Sequence, residues 1–400
     1  MGIAGIVFVL TAINFIFQAD FIILMPLGQS VMDHFRISTA EYASVVGVYS
    51  LASGITSLLF SFFGGAFRKK TVMLISIFFL GLSCFATGMA NSFGQLFLIR
   101  FIAGCWGGIL NPLIFSIASD AIPAESRGRS MGWIMTGFSL ASVIGVPLGI
   151  WVMDTYSFSA TFYTFGAGFI VIFALSLFIL PIDTVNHRQH RLKDLLNEFS
   201  DSLKRIEYVQ GYTLLFFITG AIFIVVPLIS PFAIKNLGMN NSNLQQMYLF
   251  GGVLTFVSSR LLGGLCDRWG LKSTLNFTIF FSIIPVLLFV GLDSSSELVF
   301  ISLGSLMMAS MSGMMVPAMT IASLIPSPDN RSAFNGILNS IRNISSSIFT
   351  YLAGVIVIMN KEGDRFINFD LLGIFYILLI SYIFLTGFLI SGFHKRTATS

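Results

Sequence analysis

Long apolar segments are the feature that most constrains this chain. A helix that crosses a membrane needs about 20 mostly apolar residues, and the 400-residue sequence contains about twelve such segments. The apolar runs are continuous instead of alternating with polar residues, which favours helices over the strands of a membrane barrel. We therefore predict an all-α membrane protein with twelve transmembrane helices. They lie at about 5–27, 40–63, 71–91, 94–117, 131–153, 159–181, 209–232, 244–265, 273–292, 298–324, 335–358 and 371–393.

The composition agrees with this class. Hydrophobic residues make up 55% and charged residues 10% of the chain, which excludes a water-soluble enzyme or a disordered scaffold. The net charge of +4 is explained by basic loops on one side of a membrane, so no nucleic-acid partner is predicted. We expect a lipid bilayer to surround the protein. Cys84, Cys105 and Cys266 show no paired spacing, so we expect neither a disulfide framework nor a metal site.

The basic residues indicate an orientation. With a cytoplasmic N-terminus, 15 Lys and Arg residues fall in cytoplasmic segments and 4 on the opposite side, which favours two cytoplasmic termini. A long charged connection divides the chain into an N-terminal six-helix bundle (1–181), a cytoplasmic central loop (182–208) and a C-terminal six-helix bundle (209–400). Equal span numbers suggest an internal repeat.

Two opposite charges lie inside the predicted spans at one depth. Asp20 is the one acid inside a span, since all the others lie in loops or at helix ends, and Arg100 lies about as far from the outer end of its own span. Charges at membrane depth cost about 2.5–3.5 kcal/mol on insertion scales and mark functional sites. We hypothesise that the two residues are neighbours on a common cavity and that proton binding at Asp20 controls their pairing. The alternative is a fixed charge pair that locks two helices.

The helix of Arg100 carries one small or polar face. Gly104, Gly107 and Asn111 follow Arg100 at helical spacing, and such a face either lines a cavity or packs closely against another helix. Gln18, near Asp20 on the first span, is a further cavity candidate, although the two side chains point in different directions. Arg260 and Arg342 lie in the predicted cytoplasmic thirds of their spans. We interpret them either as gate charges or as arginines whose side chains extend toward the cytoplasm.

The loop after the eighth span carries a recognisable motif. Gly263-Gly-Leu-Cys-Asp267-Arg268-Trp-Gly270-Leu-Lys272 resembles the cytoplasmic loop motif of the major facilitator superfamily. The resemblance covers the whole chain and implies alternating access by two six-helix bundles. In the motif, glycines permit a tight turn and the Asp and Arg pair across the gate. The first-half loop, Gly64 to Lys70, keeps the basic end of the motif but has no acid where the family has Asp.

Two further segments resemble the twelve-span drug/proton antiporters, including the arabinose-efflux-type permeases. Arg100 to Gly108 is similar to their span-four motif, whose Arg is implicated in proton handling. Gly145-Val-Pro147-Leu-Gly149 resembles a short form of the exporters' glycine-proline motif, in which these residues shape a helix contact. Asp20 with Pro26 in the first span is a looser match.

These features predict a proton-coupled exporter of a small organic molecule in the cell (inner) membrane. We expect a monomer that is not an enzyme and that uses the proton gradient without a cofactor, since no phosphate-binding loop motif occurs. One alternative is an uptake or facilitative carrier for a sugar, organic acid, amino acid or siderophore on the same fold. Another is a receptor or scaffold that has lost transport.

Overall fold

The computed structural model describes residues 3–63, 67–180, 204–294, 296–326, 331–363 and 365–389. The first half contains helices α1 (Ile3–Ile23), α2 (Gly28–Phe35), α3 (Thr39–Phe63), α4 (Lys69–Met89), α5 (Phe93–Ala121), α6 (Ala124–Leu140), α7 (Val146–Thr155) and α8 (Phe158–Ile179). The second half contains α9 (Ile206–Phe223), α10 (Ile229–Lys235), α11 (Asn241–Trp269), α12 (Leu271–Val290), α13 (Glu297–Gly313), α14 (Met315–Leu324), α15 (Arg331–Ile356) and α16 (Phe369–Leu389). The central loop lies almost wholly outside the described residues.

The architecture is all-helical and of membrane type. Ten helical segments of the described residues are long and apolar enough to cross a membrane. The other two predicted spans coincide with α15 and α16, so twelve spans and the orientation of the termini stay predictions. Large apolar side chains such as Phe8 and Phe178 are exposed on the outside of the bundle, as expected of surfaces that contact lipid.

Several predicted spans have different boundaries in the structure. Span one, predicted at 5–27, ends as a helix at Ile23, and a turn leads into the separate helix α2. Pro26 lies in this turn and cannot donate a backbone hydrogen bond, a break that apolar content does not reveal. Span ten, predicted as one helix at 298–324, consists of α13 and α14. Span five begins earlier than predicted, with α6, and a π-helical turn at Ala141–Gly145 joins α6 to α7.

Local sequence fixes several helix ends. The hydroxyls of Ser92 and Ser157 accept hydrogen bonds from backbone N–H groups at the starts of α5 and α8, which are typical N-caps. Gly270 ends α11 and precedes α12 with φ +82°, a backbone conformation that favours glycine. The two short strands of the described residues, Ile358–Met359 and Phe366–Ile367, form a small hairpin between α15 and α16.

Helices α3 and α15 join the two halves along their whole length. At one end Thr39 donates a hydrogen bond to the carbonyl of Val357 at 2.6 Å. Midway, the hydroxyls of Ser50 and Ser346 lie 3.1 Å apart, and nearer the other end the side chain of Asn339 donates to Ser57 at 2.8 Å. The halves therefore meet through small and hydroxyl-bearing residues, which let membrane helices approach closely.

A second contact between the halves lies at the predicted outer end. Asn241 of α11 donates a hydrogen bond to Asp154 of α7 at 2.9 Å, and Gln245 donates to the carbonyl of Pro147 at 3.2 Å. Nearby, the buried hydroxyl of Tyr42 lies 3.2 Å from the carbonyl of Pro227 in the other half. These contacts join the halves at the predicted outer end in this conformation.

Candidate functional site

The structure brings Asp20 and Arg100 into direct contact. Asp20 lies near the end of α1 and Arg100 in the second turn of α5, and their side chains are 1% and 2% exposed. Arg100 Nη1 donates to Asp20 Oδ1 at 3.0 Å, and Nη2 donates to the backbone carbonyl of Asp20 at 3.3 Å. Two opposite charges thus form a fully buried ion pair inside the first half.

Two other helices complete the surroundings of this pair. Tyr49 of α3 places its ring 4.4 Å from Arg100 Cζ, in the geometry of a cation–π contact. Cys84 of α4 donates its S–H to Asp20 Oδ1 at 3.4 Å. We call Asp20, Tyr49, Cys84 and Arg100 the ion-pair site.

The ion-pair site keeps unused hydrogen-bonding capacity. Among the described residues, Asp20 Oδ2, Arg100 Nε and the Tyr49 hydroxyl have no hydrogen-bond partner. A buried polar atom without a partner costs about 1–3 kcal/mol, so such atoms at one place indicate a function more than a need for stability. Asp20 Oδ2 is therefore a buried acceptor that meets no donor within the described residues.

The small face of α5 packs against α3. A Cβ on Gly104 would overlap the backbone carbonyl of Tyr49, and one on Gly108 would overlap that of Ser53. A Cβ on Gly107 would come within 2.6 Å of the Tyr49 hydroxyl. Gly104 and Gly107, predicted as cavity residues, therefore lie in a helix contact in this conformation. Their packing brings the Tyr49 ring to Arg100.

Gln18 and Asn111, the other predicted cavity residues, are both half-buried. Gln18 donates a hydrogen bond to Asn14 at 3.4 Å, one turn earlier on α1. Asn14 is itself buried and donates to the carbonyl of Ile134 in α6 at 2.8 Å. This polar row on α1 is separate from the ion-pair site, in agreement with the different directions predicted for Gln18 and Asp20.

The loop motif after span eight is placed only partly as predicted. Gly270 occupies the turn, where its positive φ is required. Gly263, in contrast, lies inside helix α11 with open space around it, so its predicted role in the turn is wrong. The helix continues through Asp267 and Arg268, both of which are exposed. The equivalent first-half loop, residues 64–66, lies outside the described part of the chain.

The two arginines predicted as gate charges have different environments. Arg260 is exposed, with its guanidinium carbon 4.0 Å from the ring centre of Phe256. Arg342 is half-buried, and its Nε has no partner among the described residues. Arg260 lies on an aromatic face of its own helix, whereas Arg342 keeps an unused donor near the contact between α3 and α15.

The glycine-proline segment contacts the helix that carries Asp20. A Cβ on Gly145 would lie 2.8 Å from Ala19 Cβ, and one on Gly149 would overlap the Ile23 side chain. Pro147 is buried at the first turn of α7, directly after the π-helical turn. This segment therefore contacts α1 through its glycines and α11 through the carbonyl of Pro147.

Sequence reasoning missed two members of the ion-pair site. The sequence assigns Cys84 to neither a disulfide nor a metal site and does not single out Tyr49, because neither side chain carries a charge at neutral pH. The small face of α5 could have indicated Tyr49. Glycines on one face of a helix permit another helix to approach closely, and Tyr49 lies on the helix that does so.

Replacement of Cys84 tests whether its thiol supports Asp20. We expect Cys84→Ala to lower stability by about 1 kcal/mol, because a buried carboxylate oxygen loses a donor. Cys84→Ser, which keeps a hydroxyl donor, should lose less. Thermal unfolding of the purified protein measures both, with Cys105→Ala as the control because Cys105 is only half-buried. Equal stability of Cys84→Ala and Cys105→Ala would contradict the contact.

Helices of membrane length in two joined halves, with an ion pair buried in one of them, define a multi-pass helical membrane protein. The model of the Major Facilitator Superfamily matches residues 10–350, and the chain belongs to this family. It is accordingly a membrane transporter of a small molecule and not an enzyme.

Individual relatives are distant. The chain is 21% identical over 273 residues to the uncharacterized MFS-type transporter YbcL of Bacillus subtilis, covering 67% of this chain and 68% of that protein. It is 28% identical over 185 residues to multidrug resistance protein 3 of the same species, covering 42% of this chain and only 35% of the relative. A bacterial homolog of the human lysosomal transporter Spinster, in an inward-facing unoccupied conformation, shares the fold with a TM-score of 0.74 at 13% identity, covering 96% of this chain and 97% of that chain.

Proposed function

We propose that the protein exports a small organic molecule in exchange for protons, by alternating access. The observation that carries this proposal is the buried ion pair between Asp20 and Arg100, with a contact of 3.0 Å. Desolvating two charges costs several kcal/mol per ion, and their attraction offsets this only in part. A pair that merely held two helices together is replaceable by apolar side chains, whereas a pair that binds and releases a proton needs the carboxylate.

Proton binding at Asp20 would act on Arg100. A neutral Asp20 carboxyl group attracts the guanidinium less, so Arg100 keeps the backbone carbonyl of Asp20 and the ring of Tyr49 as its other close contacts. Tyr49 belongs to α3, which also contacts α15 of the second half along its length. A change of charge at the ion-pair site therefore has a direct structural route to the contact between the halves.

Export, and not uptake, is supported by two observations. The glycine-proline segment resembles the exporters' motif, and it contacts both α1, which carries Asp20, and α11 of the opposite half. One relative is named a multidrug resistance protein. In keeping with the relatives in Bacillus subtilis, we propose that the protein lies in the plasma membrane of a bacterium. We propose a monomer with both termini in the cytoplasm, in which the proton gradient drives transport without a cofactor.

Everted membrane vesicles test this proposal directly. Respiration acidifies their lumen, and a proton-coupled exporter then takes up its substrate while protons leave. We expect at least one member of a panel of dyes, sugars and siderophores to reverse the quenching of a pH-sensitive dye. Vesicles without the protein are the control. Accumulation of a compound in intact cells, driven by the inward proton gradient, would instead establish the uptake carrier. If reconstituted protein moved no compound, even by counterflow, the receptor or scaffold alternative would replace transport.

A further inference from the structure

A polar recess at the predicted outer end has no role in the proposed mechanism. It has a volume of about 510 Å³ and lies between the halves. Gln29 and Asp33 of α2 and Asp154 of α7 line it from the first half. From the second half it is lined by the polar residues Asn240, Asn241 and Ser242 and by the apolar residues Ile234 and Met239. The two charged side chains of this lining are both acidic, so the recess favours a cation.

Gln29 provides an independent sign of a ligand. Gln29 lies between the recess and the neighbouring apolar cavity and is only 3% exposed. Its amide nitrogen donates to Asp33 Oδ1 at 2.8 Å. This bond fixes the orientation of the amide, because the reverse orientation would place an oxygen against a carboxylate. The remaining oxygen, Gln29 Oε1, is buried and meets no donor within the described residues.

The two acids of the recess, Asp33 and Asp154, have different hydrogen-bond partners. Asp154 already accepts a hydrogen bond from Asn241 at 2.9 Å, which ties the first half to the second. Asp33 is exposed and bonded to the uncharged amide of Gln29. His34, next to Asp33 along the chain, stacks on the ring of Phe158 and does not line the recess. Arg36 lines the neighbouring apolar cavity, which shares Gln29 and Asp33 with the recess.

A ligand for this recess needs a positive charge and N–H donors. The charge complements Asp33 and Asp154, and an N–H group satisfies Gln29 Oε1. A bare metal ion fits less well, because the described residues contain no group of three or more His, Cys, Asp or Glu side chains that could hold one. We propose that the recess binds a small organic ammonium compound through Asp33, Asp154 and Gln29 Oε1.

The position of the recess assigns an effect to this binding. Its walls come from both halves, so an opening of the outer end would pull them apart. A ligand that binds one conformation shifts the equilibrium toward it by its difference in affinity. The ammonium compound therefore favours the conformation that is closed at the outer end.

Equilibrium dialysis of the purified full-length protein with radiolabelled spermidine tests the site. We expect saturable binding to the wild type. Loss of a charge-assisted hydrogen bond is worth about 1.5–3 kcal/mol, so Asp33→Asn and Asp154→Asn should each bind at least about 10-fold more weakly. Asp293→Asn, which alters an exposed acid outside the recess, should bind as the wild type does. Asp20→Asn should also retain binding, which separates this site from the proposed transport mechanism.

Competitors distinguish the kinds of cation. Tetramethylammonium carries the charge without N–H donors and should displace little spermidine, and calcium chloride should displace little at low ionic strength. Thermal unfolding verifies that each variant is folded. If Asp33→Asn does not fold, Asp154→Asn alone tests the acidic side of the site. Absence of saturable binding to the wild type would overturn the proposal. So would folded Asp33→Asn and Asp154→Asn variants that bind spermidine as tightly as the wild type does, or displacement by tetramethylammonium or calcium that is as effective as displacement by unlabelled spermidine.

Discussion

Replacement of Asp20 by Asn is expected to abolish proton-driven transport while the protein still reaches the membrane. The amide has nearly the shape of the carboxylate and keeps one oxygen toward Arg100, but it cannot bind a proton in the same way. Efflux that depends on a proton gradient should therefore fall to the level of vesicles without the protein. Glu362→Gln removes an exposed acid and should leave efflux unchanged.

The same substitution leaves Arg100 without its buried counter-ion. Removal of one partner of a buried pair costs about 3–5 kcal/mol, so a loss of efflux could reflect a loss of folded protein. The double variant Asp20→Asn with Arg100→Gln removes both charges and should recover much of the stability measured by thermal unfolding. It should still fail to transport, because the proton-binding carboxylate is absent.

Stability and transport, measured together on the double variant, distinguish a role of Asp20 in proton coupling from a purely structural role. If the double variant is stable and inactive, Asp20 acts in transport and not only as a support for Arg100. If it is stable and transports as the wild type does, the pair is a fixed structural contact, the alternative that the sequence leaves open. Gradient-dependent efflux in Asp20→Asn alone would likewise exclude Asp20 as the proton-binding residue.

The fold was predictable because apolar content reports directly on membrane helices. Each predicted span overlaps a described helix, since about 20 apolar residues have few other stable states in a bilayer. Helix breaks were not predictable in the same way. Apolar content does not distinguish the turn around Pro26 from a helix, nor the separation of α13 from α14 at Met314.

Part of the ion-pair site was also predictable, for an electrostatic reason. Asp20 and Arg100 stand out because a charge at membrane depth needs a partner, and their matching depth predicted the contact. Tyr49 and Cys84 do not stand out, because buried tyrosines and cysteines are common in apolar helices. The role of the glycines on α5 was open in the sequence, since close packing and a cavity both require small residues.

The contact between α5 and α3 gives the second large expected effect. Gly104→Ala adds one methyl group, and this group would overlap the backbone carbonyl of Tyr49. A backbone carbonyl in a helix cannot rotate away, so α3 and α5 must move apart, at a typical overpacking cost of about 1–3 kcal/mol. We expect a lower thermal unfolding temperature and weaker transport, because the ring of Tyr49 is displaced from Arg100.

Gly94 supplies the matched control for this prediction. It lies on the same helix, and a Cβ there would meet nothing within 4 Å. Because alanine is the better helix former, Gly94→Ala should be as stable as the wild type or slightly more so. A Gly104→Ala protein that equals Gly94→Ala in stability and transport would mean that the close approach of α3 and α5 is not required. The small face of α5 would then be available to line a cavity, as the sequence also allowed.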